Sequence, residues 1–153
     1  MVHASVNETV DLPLVLSYMS VVKDAERIGD YAKNIYDLVR YGADFTDQPD
    51  QEELVRYRDA VGRLIEDACM AFEARDAERA QELISRADEF LDDHDAHIKA
   101  AFSFDGEPAD AVARALYYRF LKRITAHVMN LLTSLVMPID RLDYYDEDKE
   151  DRG

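Results

Sequence analysis

Glycine and proline are scarce in this chain, five and four residues of 153. That excludes collagen-like and low-complexity architectures and leaves few places to turn. Cysteine occurs once, at Cys69. An internal disulfide framework is thereby excluded, and a reducing compartment is implied. Cys69 itself reads as a small hydrophobe on a helix. Basic residues are outnumbered 18 to 33, a net charge of −15. Such a balance repels phosphate backbones and argues against nucleic acid as a partner. It also opposes direct adsorption to an anionic membrane leaflet. The first residues lack the basic region and apolar run of a signal peptide, which points to a cytoplasmic protein. The most apolar stretch, Leu12 to Val22, contains Pro13, two serines and Tyr18. It is shorter than the roughly 20 apolar residues a membrane-spanning helix needs. Any membrane association is therefore expected to run through a protein partner.

What the chain does have is a 48 % hydrophobic content with helical periodicity, enough at this length for one domain with a real core. The first helix is expected from near Asp11, where Thr9 or Asp11 can cap and Pro13 falls in the first turn, to about Tyr41, with Gly42 ending it. The connector Ala43 to Gln51 has loop composition. A second helix runs from about Gln51 to Ala74, its stripe formed by Leu54, Tyr57, Val61, Leu64, Ile65, Ala68 and Phe72. Arg75-Asp76 makes a short break, and a third helix follows to about Phe102, burying Ala80, Leu83, Ile84, Ala87, Leu91, His94, Ile98 and Ala101. Residues 103–108 form a loop. The fourth helix starts near Ala109 and carries Leu116, Phe120, Ile124, His127, Leu131 and Leu135 to Met137, before Pro138. Residues 143–153 read as an acidic disordered tail after a single domain over residues 1–142. The class is all-α, an antiparallel bundle of four helices.

On the first helix Val21, Ala25, Ile28, Ala32, Ile35 and Val39 share one face, with Glu26 and Asp30 roughly opposite at about 100° per residue. Val15, Met19 and Val22 extend the Glu26 side, so the N-terminal half is apolar nearly all round. Such a helix is either central in the bundle or covered by another subunit. Glu26 over Asp30, four apart, is a like-charge pair that costs a few tenths of a kcal/mol unless it holds a cation or is offset by Lys23 and Lys33. Both readings stay open. Asp88 and Asp92 repeat the spacing on the third helix, where a solvated face is the commoner outcome. His94 and His97 sit beside carboxylates like a ligand cluster, yet the wheel sets His94 by the apolar stripe, where a packed core histidine is commoner. His127 also faces the core. Met19, Met70, Met129, Tyr117 and Tyr118 read as packing. No Gly-rich phosphate loop, nucleophile elbow, zinc signature or Glu-x-x-His di-iron pattern is present, so no catalysis is expected.

The string Asp24-Ala-Glu-Arg-Ile-Gly-Asp-Tyr-Ala-Lys-Asn-Ile35 resembles the signature of the PhoU family, accessory regulators of bacterial phosphate uptake. A weaker echo lies 96 residues on: Glu26-Arg27-Ile28 corresponds to Lys122-Arg123-Ile124, Tyr31 to His127, Asn34 to Asn130 and Ile35 to Leu131. The resemblance implies two similar three-helix bundles, of which this sequence covers one whole bundle over residues 52–137 and the last helix of the other. It also implies multinuclear iron or zinc held by carboxylates at Glu26, Asp30, Asp88 and Asp92. Lys122 and Ala126 stand at the echoing positions and oppose a cluster on the fourth helix. The partners implied are a phosphate transporter and the sensor histidine kinase of a two-component system. A homodimer covering the first helix is expected as well. Two other readings remain: a metal-binding or metal-storage bundle unrelated to phosphate, and a regulatory domain acting on a sodium–phosphate cotransporter.

Overall fold

The computed structural model describes residues 12–136, which form four helices: α1 (Leu12–Arg40), α2 (Gln51–Ala74), α3 (Ala77–Ala101) and α4 (Pro108–Val136). Among the described residues there is no strand, and the bundle is all-α as the periodicity predicts. The expected cap at Thr9 or Asp11, the end at Met137–Pro138, the domain limit at 142 and the acidic tail lie outside the described residues.

Local chemistry sets each break. At the end of α1, Gly42 adopts φ +97, and the Ala43 amide donates to the Leu38 carbonyl at 2.9 Å. Only glycine enters that conformation without cost, and the bond satisfies a carbonyl that the helix end would orphan. Between α2 and α3 the turn is two residues long. Arg75 takes the left-handed conformation (φ 51, ψ 38), and the Asp76 amide donates to the Ala71 carbonyl at 2.9 Å. The Asp76 carboxylate then accepts from the Arg79 amide at 2.9 Å and caps α3. Pro108 opens α4, where its missing N–H leaves no helix bond unmade.

Successive helices run antiparallel. α4 is the hub: α1, α2 and α3 all pack against it, α2 also packs on α3, and α1 makes at most marginal contact with either of those two. The core is formed by Leu54, Val61, Leu64, Leu83, Ile84, Leu91, Leu121, Val128, Met129 and Leu132, with Tyr117 and Tyr118. The stripes expected on α2 and α3 face the core, including His94 at 0 % exposure, with Ile65, Phe72 and Ile98 half-buried.

Four expectations are corrected. The α1 face against α4 is centred on Asp24, Ile28, Tyr31, Ile35 and Leu38, leaving Ala25, Ala32 and Val39 exposed. A periodicity count assigns Asp24 to solvent because it is charged, which turns the inferred face away from the true one. Leu116 is exposed rather than buried, because α4 there faces a gap between α1 and α3. Met19 and Met70 are also exposed, unlike the buried Met129. The N-terminal half of α1 is not central in the bundle: Leu12, Val15, Leu16, Tyr18, Met19 and Val22 are 41–63 % exposed.

Candidate functional site

The signature segment of α1 meets its echo on α4 through a buried polar network. Asp24 Oδ1 lies 2.8 Å from His127 Nδ1, and both side chains are 2 % exposed. Asn130 Nδ2 approaches the same oxygen at 3.5 Å. On the other side of the imidazole, an Arg123 terminal nitrogen sits 3.3 Å from His127 Nε2. A guanidinium only donates, so Nε2 accepts and the ring proton resides on Nδ1, where it is donated to Asp24. The chain guanidinium–imidazole–carboxylate thus carries the pairing of opposite charges through a neutral ring. Tyr31 closes the network: its ring stacks on His127 (5.7 Å between centroids, 19°), and its hydroxyl accepts from Arg123 Nε at 3.3 Å.

The echo orders these contacts. Shifted by 96 residues, Asp24 corresponds to Phe120 and Tyr31 to His127. Exchanging the two helices therefore maps the Asp24–His127 hydrogen bond onto the Phe120–Tyr31 ring contact, which is present at 6.0 Å. One contact of the symmetric pair is polar and its mate is apolar. Asp24 was not among the residues singled out from the sequence. The echo was the signal that could have found it, since it pairs position 24 with 127 once 31 and 120 are known to meet.

A second cluster lies between α2, α3 and α4. His94 is fully buried among Tyr57, Phe90 and Tyr118, and neither ring nitrogen has a hydrogen-bond partner among the described residues. Burial, with the neighbouring His97 and Lys122 adding to it against the opposing Asp95, lowers its pKa from 6.5 to about 4. His97 instead stacks on Tyr118 at 4.5 Å and meets the Tyr57 hydroxyl at 3.0 Å. Burial raises the phenols of Tyr117, to about 12, and of Tyr118. The Tyr117 hydroxyl donates to the Leu54 carbonyl at 2.7 Å. These groups pack, as expected for the histidine and tyrosines of a core.

The predicted carboxylates stand elsewhere. Glu26 and Asp30 are exposed on α1, Asp88 is half-buried and Asp92 exposed on α3. Among the described residues no three His, Cys, Asp or Glu side chains gather into a group able to hold a metal ion. Oxygen donors at helical spacing suit hard cations, but these pairs do not make a multinuclear site from one chain's described residues. Lys122, at the position echoing Glu26, is bound to both carboxylate oxygens of Asp95 at 2.7 and 2.8 Å, so a cation side chain already occupies that place.

One end of the bundle is clamped by a different ion pair. Arg114, 5 % exposed, binds Asp50 through two hydrogen bonds of 2.7 and 2.8 Å, and its guanidinium lies over the rings of Phe45 and Phe104 at 5.5 and 4.3 Å. The guanidinium holds the Asp50 carboxyl below its usual range.

Comparison with known proteins meets the α1 signature directly. Residues 1–39 match the model of the PhoU domain. The chain is 27 % identical over 125 residues to the phosphate-specific transport system accessory protein PhoU homolog of Synechocystis sp. (strain ATCC 27184 / PCC 6803 / Kazusa), an alignment covering 79 % of this chain. The chain spans about half the length of that relative, 55 %. No solved structure matches. The two matches, together with the all-α bundle, support a PhoU-family assignment for this chain.

Proposed function

We propose that this protein is an accessory regulator of phosphate uptake that acts by contact with other proteins and not by catalysis. The observation that carries the reading is the alignment with a phosphate-transport accessory protein over 79 % of the chain. The partners are a phosphate transporter and its sensor histidine kinase. No helix among the described residues is long and apolar enough to cross a membrane, so contact with a transporter is made through a protein surface.

Self-association is part of the proposal. Leu12–Val22 holds no charged residue and exposes seven large apolar side chains. In a chain of net charge −15, like-charge repulsion opposes self-contact over most of the surface. This segment is where two copies approach at least cost, and a homodimer covers it. Iron or zinc at Glu26 and Asp30, or at Asp88 and Asp92, requires further ligands from outside one chain's described residues.

Deletion of the chain tests the function. Unrestrained phosphate uptake in the deletion strain, restored by the wild-type protein, is the expected result. Normal uptake and normal repression of phosphate-starvation genes would remove the proposal. Glu26→Ala/Asp30→Ala in the same assay, with metal content measured on the purified protein, reports whether the carboxylate pair takes part. Sedimentation of wild type against Met19→Asp tests the dimer, which the variant disperses.

A further inference from the structure

The gap between α1 and α3 leaves one face of α4 uncovered at its N-terminal end. Pro108, Val112 and Leu116, at i, i+4 and i+8, form a ridge along it. An apolar groove runs on each side. One, of about 380 Å³, lies against Leu38, Tyr41, Gly42 and Ala43 at the end of α1, and the other, of about 400 Å³, against Ala101 and Phe102 at the end of α3. The grooves share the ridge and so form one surface. Its side chains are the large apolar ones a soluble monomer seldom displays together: Tyr41 is 82 % exposed, Phe102 88 % and Val112 57 %. A ridge with two flanking grooves is the relief into which a helix packs its own side-chain rows.

Charge identifies the occupant. Acidic side chains adjoin two of the three segments that build it: Asp37 and Asp44 beside the end of α1, and Asp105, Glu107 and Asp110 around Pro108. Against them stand Lys99, Arg119 and Arg40, the last bound to Asp37 at 3.1 Å, while the Arg114 charge is taken up by Asp50. A second copy would set this acidic rim against itself. An anionic membrane would be repelled in the same way. We infer that this end of the bundle docks an amphipathic helix of a partner protein whose apolar stripe is flanked by Lys and Arg. The inference rests on the reading that the protein acts by protein contact, and names the chemistry of one partner. Tyr41 and Phe102 supply the aromatic anchors that dominate such contacts, and the carboxylate rim supplies orientation and a fast on-rate.

The probe is a designed amphipathic peptide of Leu and Lys, about four helical turns long, beside its Leu/Glu counterpart. Both are titrated into the full-length protein while backbone amide shifts are followed. The Leu/Lys peptide is expected to shift the amides of Tyr41, Phe102, Val112 and Leu116, to bind more weakly as salt rises, and to lose at least tenfold in affinity with Val112→Asp. The Leu/Glu peptide is expected not to bind. Because Val112 is exposed, the variant should melt with the wild type, so loss of binding is not loss of fold. Shifts confined to Leu12–Val22, equal binding of both peptides, or absence of binding would overturn the inference. So would dispersal of a dimer by Val112→Asp, which would make the occupant a second copy. None of these outcomes depends on the phosphate-uptake result.

Discussion

α1 and α4 have the same length, 29 residues, and share an echo of sequence, yet α1 buries two residues and α4 fourteen. The difference is one of neighbours. α4 is surrounded by three helices, and over Ile124–Asn130 every residue is buried. Polar side chains in and just beyond that stretch are satisfied within the fold: Thr125 donates to the Leu121 carbonyl, Thr133 to that of Asn130, and His127 to Asp24. α1 leans on α4 alone, and the most deeply buried side chain on it is a carboxylate, at 1 % exposure. Two helices of related sequence thus occupy opposite environments. Apolar content alone does not decide which one becomes the core, since the apolar Leu12–Val22 segment is the exposed one.

Removing the shared anchor should break this comparison most severely. His127→Leu leaves the buried Asp24 with only the long Asn130 contact, and breaking a buried pair costs about 3–5 kcal/mol. Urea denaturation should show that loss, with Asp24→Leu/His127→Leu recovering much of it. Next comes a cavity in the hub. Leu132→Ala, at a side chain with 0 % exposure, should cost about 2–5 kcal/mol. The two buried histidines form a subsidiary contrast, since among the described residues His127 is hydrogen-bonded and His94 is not. The folded pKa of His94 lies near 4, below its unfolded 6.5. Between those values the unfolded chain binds more protons, so stability falls as pH falls through the window, by about 3 kcal/mol in all. His94→Leu should flatten that slope in melts run from neutral to acid pH. The smallest effect is expected on α1. Met19→Ser, at a side chain 63 % exposed, should change the stability of the isolated chain by about 0.5 kcal/mol or less. A cost as large as that of Leu132→Ala would mean that α1 is covered after all.

The helices were legible because their breaks are chemical: Gly42, Arg75-Asp76 and Pro108 end or begin elements within a residue or two of the expected places. The α2 and α3 stripes were legible because both helices bury apolar side chains at regular spacing. The face of α1 was not, because its central contact is Asp24, and a periodicity rule counts a carboxylate as solvent-facing whatever its partner. Leu116 failed for the opposite reason: the rule requires a covering neighbour, and α4 has none there. Of the site, the echo made Arg123, His127 and Asn130 visible as positions, but not the hydrogen bonds that join them to Asp24.

Held on one side and pinned by the buried Asp24–His127 hydrogen bond, α1 is the natural unit of local opening. Its amides should exchange with solvent through release of the α1–α4 interface alone, while those of Ile124–Asn130 wait for loss of the whole bundle. A helix that detaches without unfolding the remaining three can also re-dock on the α4 of another molecule, with Asp24 of one chain meeting His127 of the next. Exchange of arms between subunits then needs no new interface, only the one the monomer already has.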